Sequence, residues 1–169
     1  MLYITNTNNN DIKGVFKVTK DIKKLTGAEL KKQSKELDKQ REFTVEIGGQ
    51  DYKLTHDVVF RKTKQIKVIE DLIEFFSKGA EHPELLDKAT PFTALIIIKH
   101  FTSLEVSDDI DDALILLGIL IDLDALGKII NELPEDEVVE MFKIIEETIK
   151  NVSGKNEDNS LSEIEELKE

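Results

Sequence analysis

The sequence predicts an α+β fold that is predominantly α-helical: a small N-terminal β-hairpin or sheet followed by a bundle of about five helices. Three observations predict it. Phe43 to Leu54 alternates apolar and polar residues around a central Gly-Gly pair, the pattern of a hairpin. From Ile66 onward the apolar period changes from two to about 3.6. Breakers at Gly79, Pro83, Pro91, Gly127 and Pro134 then divide the helical part into pieces of ordinary helix length.

The elements follow in order. Thr5 to Asp11 holds four asparagines, which favour turns. Lys13 to Thr19 has the β-branched and aromatic content of a short strand. Lys20 to Arg41 is highly charged, mostly basic, and reads as a helix with a thin apolar stripe. Residues 1–42 therefore form a basic N-terminal arm, ordered mainly by what it touches. Next comes the hairpin, Phe43-Thr-Val-Glu-Ile47 and Gln50-Asp-Tyr-Lys-Leu54. A two-residue turn at Gly48-Gly49 pairs Val45 with Tyr52 and Phe43 with Leu54, which sets all four on one side.

Ile66, Ile69, Leu72, Ile73 and Phe76 mark the packing face of a helix that stops near Gly79. Pro83 to Ala89 is a short connection. Thr90 as N-cap and Pro91 at the first position open the next helix, through Leu95, Ile98 and Phe101. Ser107 starts another, with carboxylates in its first turn. Residues 113–121 are apolar on all sides, which predicts the central, most buried helix. Leu123, Leu126, Ile129 and Ile130 give a short helical face. Pro134 opens the last helix, with the stripe Val138, Phe142, Ile145, Ile149 and Val152. The hairpin and these helices make a core domain over 43–152. Residues 153–169 read as an acidic, disordered tail. Within it Leu161, Ile164 and Leu167 recur at i, i+3, i+6, so the segment is either a solubilising end or a candidate partner-binding element that a partner turns into a helix.

Charge is sorted along the chain. Up to Ile69 there are 15 basic and 9 acidic residues; from Glu70 there are 8 and 26. The net charge is −12, which opposes non-specific binding to nucleic acid or membrane. The arm's lysines are interleaved with Asp21, Glu29, Glu36, Asp38 and Glu42, a pattern of local ion pairs or of contact with an acidic protein, another copy of this chain included. The longest apolar run, Ala113 to Ile121, is about half of a bilayer span and is closed by Asp112 and Asp122. Met1-Leu2-Tyr3-Ile4-Thr5 lacks the basic start and apolar stretch of a signal peptide. A soluble protein of the cytoplasm is the expectation.

No set of side chains announces a reaction. There is no cysteine, and His56, His82 and His100 lack metal-ligand spacing. Asp108-Asp-Ile-Asp-Asp112 is dense in carboxylate, but N-capping and a solvated acidic face account for it. Asp122-Leu-Asp-Ala-Leu-Gly127 lacks the third side-chain ligand of a calcium loop. No G-x-S-x-G, P-loop or H-E-x-x-H occurs, and Gly48-Gly49 is a turn, not a phosphate cradle. The expectation is a protein without catalytic, metal or cofactor residues.

The layout resembles a known family. The hairpin Phe43–Leu54, the run Ala113-Leu-Ile-Leu-Leu-Gly-Ile-Leu-Ile121, the helix start Leu133-Pro-Glu-Asp136 and the short acidic tail together look like the tail assembly chaperones of long-tailed bacteriophages of Gram-positive hosts. The resemblance spans about residues 43–169 and lies in layout, without a diagnostic motif. It implies a non-enzymatic protein that coats the tape-measure protein during tail morphogenesis, keeps its apolar helices soluble and helps recruit tail-tube subunits. It further implies a longer, frameshifted product sharing this body, and self-association along a long client. A second reading of the charge is an acidic inhibitor or immunity-type binding protein of a mobile element, whose binding would collapse in salt.

Overall fold

The computed structural model describes residues 22–166, with side chains described through 151. The fold is α+β and predominantly helical, a two-stranded antiparallel sheet followed by five helices. Before the sheet lies α1, Gly27–Lys35, extended by a 3-10 turn over Glu36–Asp38. The expected strand at Lys13–Thr19 and the asparagine run fall outside the described residues.

α1 starts for a local reason. Thr26 caps it, its side chain accepting from Glu29 N at 3.2 Å. Thr26 and Glu29 are the two ends of a capping box, and Leu25 and Leu30 hold the flanking positions of a hydrophobic staple. Nothing in α1 or the turn after it is buried. The thin apolar stripe of the arm thus remains on the surface.

β1, Gln40–Ile47, pairs with β2, Gln50–Asp57, in the register that the Gly-Gly turn dictates: Val45 faces Tyr52 and Phe43 faces Leu54. Gly48 and Gly49 have φ of 61° and 78°, the left-handed values a primed turn requires. Phe43 and Val45 are buried, and Ile47 and Leu54 pack against the core from its edge. Two polar ties fix the sheet to the helices. Lys128 Nζ donates to the Glu46 carbonyl, and Thr55 exchanges two bonds with Ser103, both at 2.9 Å.

The bundle consists of α2 (Lys62–Glu81), a 3-10 stretch (Pro83–Lys88), α3 (Ala89–Phe101), α4 (Ile110–Asp122), α5 (Ala125–Ile130) and α6 (Glu135–Glu166). α3 is its centre: Phe92, Leu95, Ile96, Ile97, Ile98 and Phe101 are all buried. Phe101 stacks on Phe60, and Phe92 stacks on Phe75, with ring centroids 3.6 and 4.1 Å apart.

Several expectations are corrected. The central helix is α3, not the apolar run 113–121. In α4 only Ile110, Ala113, Leu117 and Leu120 are buried, while Ile115, Ile119 and Ile121 face out. A run apolar on all sides has no preferred face, and here a neighbour covers just one side of it. α2 buries Gln65, Val68, Leu72, Phe75 and Gly79, so the predicted packing face is rotated; Ile66 and Ile73 are exposed. The helix also runs past Gly79, where Leu86 lies close against the bare backbone, and ends at Glu81 before Pro83. α3 begins at Ala89 without a side-chain cap, because the 3-10 stretch leads straight into it; Thr90 and Pro91 sit inside its first turn. Asp109, not Ser107, caps α4, accepting from Asp111 N and Asp112 N at 2.9 and 3.0 Å. The backbone of α6 is helical through Ser153-Gly154 to Glu166.

Candidate functional site

α2 and α6 lie side by side and run in the same direction. At their base Phe60 N donates to Glu137 Oε2 at 3.1 Å, which anchors the first turn of α6. Further along, an open groove of about 340 Å3 lies between the two helices. Ile69, Leu72, Ile73, Phe76 and Ser77 line it from α2, and Ile145, Thr148 and Ile149 from α6. Among the described residues no charged side chain lines it. A second cleft continues the surface past Ile69 to Ile66 and Ile144, with Lys62 and Glu70 at its edge.

The groove arises from an excess of apolar residues. α2 carries one stripe at Val68, Leu72 and Phe75, which the core absorbs, and another at Ile66, Ile69, Ile73 and Phe76. α6 covers the second stripe only in part. Met141 and Ile145 are buried, but Ile149 is 42 % exposed and Ile73 is 51 % exposed. Two apolar stripes on one helix are visible in the sequence; which of them stays open is not. The far side of α6 bears a further apolar cleft, lined by Ala94, Ile130, Leu133, Val138, Val139 and Phe142.

The polar clusters are structural. His56 is buried against Phe43, and its Nδ1 lies 2.8 Å from the Asp57 carbonyl. That oxygen can only accept, so the ring carries its proton on Nδ1. The Asp57 carboxylate is buried and accepts from Gln40 Nε2 at 3.1 Å and Lys64 Nζ at 2.6 Å, joining the hairpin's end to the start of α2. Asp71 accepts from Lys99 Nζ at 2.8 Å and His100 Nε2 at 2.9 Å, and Lys99 also reaches Asp108 at 2.8 Å. Burial works against the Lys99 charge, but its bonds to Asp108 and Asp71 outweigh that and raise its pKa. Burial dominates at His100 and lowers its pKa despite Asp71.

Beside Asp71, Lys99 and Asp108 the free space is about 10 Å3, the size of a single water, and an open cleft of about 420 Å3, lined by Glu74, Ser77, Lys78, Glu81, Asp108, Asp109 and Ile110, adjoins it. The acidic run Asp108–Asp112 is divided among local tasks. Asp109 caps α4, Asp108 pairs with Lys99, and Asp111 pairs with Lys78 at 2.6 Å. Among the described residues no three His, Cys, Asp or Glu side chains group to hold a metal ion. None of the described helices is long and apolar enough to cross a membrane.

Of the predicted partner-binding residues, Leu161 and Ile164 fall in the part of α6 where only the backbone is described, and Leu167 lies outside the described residues. The groove between α2 and α6 is lined by other residues.

No curated protein and no solved structure matches the chain. A family model, YomO, matches residues 28–169, from α1 onward. By that match over most of its length, the chain belongs to the YomO family, whose name is phage-associated.

Proposed function

We infer that the protein is a phage tail assembly chaperone, which binds and solubilises the tape-measure protein in the host cytoplasm during tail morphogenesis. The observation that carries this reading is the open apolar groove between α2 and α6. An amphipathic helix recognises its partner by laying apolar side chains at i, i+3 and i+4 into such a groove. Ile69, Ile73, Phe76, Ile145 and Ile149 offer apolar contact without a charge to reject it. An exposed apolar surface of this kind on a chain of net charge −12 suits a holdase. The groove takes up the client's greasy face, and the surplus charge keeps the complex dispersed. The partners are proteins, the tape-measure protein first and tail-tube subunits after it, rather than nucleic acid or membrane. The role is one of binding, without catalysis or cofactor. The phage-associated family name agrees with this setting.

The test is co-expression with the coiled-coil tape-measure protein of the same genome. The wild-type chain is expected to keep the client soluble and to co-purify with it. Ile73→Asp combined with Ile149→Asp places two carboxylates in the groove at exposed positions and is expected to abolish both effects while the chain stays folded. An insoluble, unbound client with the wild-type chain, or full activity of the double variant, would overturn the reading.

A further inference from the structure

α1 and α4 pose complementary questions. α1 is built to be a helix, with a capping box and a staple, yet it has no buried residue. Helices this short are marginal in water unless a face packs on something. Its apolar residues are all on the surface: Leu25 is 67 % exposed, Leu30 51 % and Leu37 40 %. Around them the stretch from Ile22 to Arg41 carries seven lysines and arginines against three carboxylates. The result is a basic helix with an unused apolar edge.

α4 offers the opposite. Between Lys99 and Lys128 there are seven carboxylates and no lysine or arginine. On the outward side of α4, Ile115 is 65 % exposed and Ile119 48 %, and Gly118 has open space where a side chain would stand. Asp111, Asp112, Ile115, Gly118, Ile119 and Asp122 follow the i, i+3, i+4, i+7 spacing, so one face presents an apolar centre with carboxylates at both ends. The first pair has local work: Asp111 meets Lys78, and the first turn of a helix favours acid. Asp122 has no such task. It is the last residue of α4, where the helix dipole disfavours a negative charge, and no basic residue stands in that last turn. Asp124 follows it in a left-handed conformation, with φ of 52°. Acid at this end costs stability locally and is useful to an incoming cation.

We propose that the basic helix α1 of one copy docks on the acid-flanked Ile115–Ile119 face of α4 in a second copy. Leu25, Leu30 and Leu37 meet Ile115 and Ile119, Gly118 lets the helices approach closely, and the lysines meet Asp112, Asp122 and Asp124. α4 carries three carboxylates and no lysine or arginine, whereas on α2 four carboxylates are matched by four lysines. The contact joins two different surfaces, so each copy has one arm to give and one face to offer. Such a contact builds open chains or rings, or a closed two-fold dimer where two copies exchange arms. It does not depend on what fills the groove.

Sedimentation velocity on the full chain tests this. Self-association is expected at low salt and is expected to weaken as salt screens the charges. Leu30→Asp spoils the arm and Ile119→Asp spoils the face, and each alone is expected to weaken association about tenfold or more. Mixed together they are expected to form a one-to-one complex, because one intact face and one intact arm remain. A charge swap provides the second arm of the test. Lys31→Glu with Lys35→Glu, and Asp112→Lys with Asp122→Lys, each weaken association alone and restore it when mixed. A wild-type chain that is monomeric throughout, variants that associate as the wild type does, or mixtures that fail to recover binding would each overturn the proposal. Recovery in neither mixture would point instead to a symmetric contact or to an arm folded on its own chain.

Discussion

Asp57 is the residue on which two elements depend. It is a buried carboxylate with two donors, Gln40 from β1 and Lys64 from α2. Asp57→Ala leaves the Lys64 ammonium and the Gln40 amide without their acceptor, and should cost about 3 kcal/mol in urea unfolding. His100 sets a pH dependence. Burial lowers its pKa below the ordinary 6.5, so the unfolded chain binds that proton more readily than the folded one. Stability is therefore fully present above about pH 6.5 and declines as the pH falls through the folded value. Thermal melts between about pH 7 and 5 should show this decline, and His100→Gln should flatten it. A His100→Gln profile as steep as the wild type's would assign the dependence to other groups.

At the scale of elements, the hairpin is the part most fully specified by local sequence. Its register, its turn and its buried side all follow from Phe43, Val45, Gly48 and Gly49. Gly49→Val forces a β-branched residue to a φ of 78° and should destabilise the chain by about 1–2 kcal/mol in the same urea assay. Helix boundaries and faces are less legible. α2 has apolar residues on two sides, so periodicity alone admits two phases, and only the position of α3 decides that Val68, Leu72 and Phe75 go inside. The run 113–121 has no polar side to give it a phase at all. The groove residues Ile69, Ile73, Phe76, Ile145 and Ile149 are each legible as apolar helix positions. How far each is covered is not, because that depends on how α6 packs on α2. The capping box at Thr26 and Glu29 is legible by rule, and it explains why a segment of so little apolar content forms a helix.

On the scale of the whole molecule, the fold divides into a buried centre and surfaces kept free. α3 is enclosed by α2, α4 and α5 and by the hairpin, whereas α1 adds nothing to the core. Compared with a chain beginning at Ile22, one beginning at Lys39 should therefore lose less than about 1 kcal/mol, the loss coming from the exposed Arg61–Asp38 and Lys39–Glu36 ion pairs. Calorimetry on the shortened chain checks this, and a large drop in melting temperature would mean that the arm is structural. The same deletion should remove salt-sensitive self-association. The charge division along the chain thus corresponds to one between elements, with cations on the exposed α1 and carboxylates at both ends of the outward face of α4.

The anchoring of α6 has a kinetic consequence. Its hold on the body fades along its length: Met141 is fully buried, Ile145 nearly so, and Ile149 is 42 % exposed. Opening such a helix resembles peeling from a free end rather than breaking a clasp. A client seated in the groove, as proposed above, would meet the loosest turn of α6 first, while the base at Glu137 and Phe60 stays closed. Amide hydrogen exchange should record the gradient, with protection falling steadily from Met141 to Asn151. Uniform protection over that span would mean that the helix opens as one rigid piece.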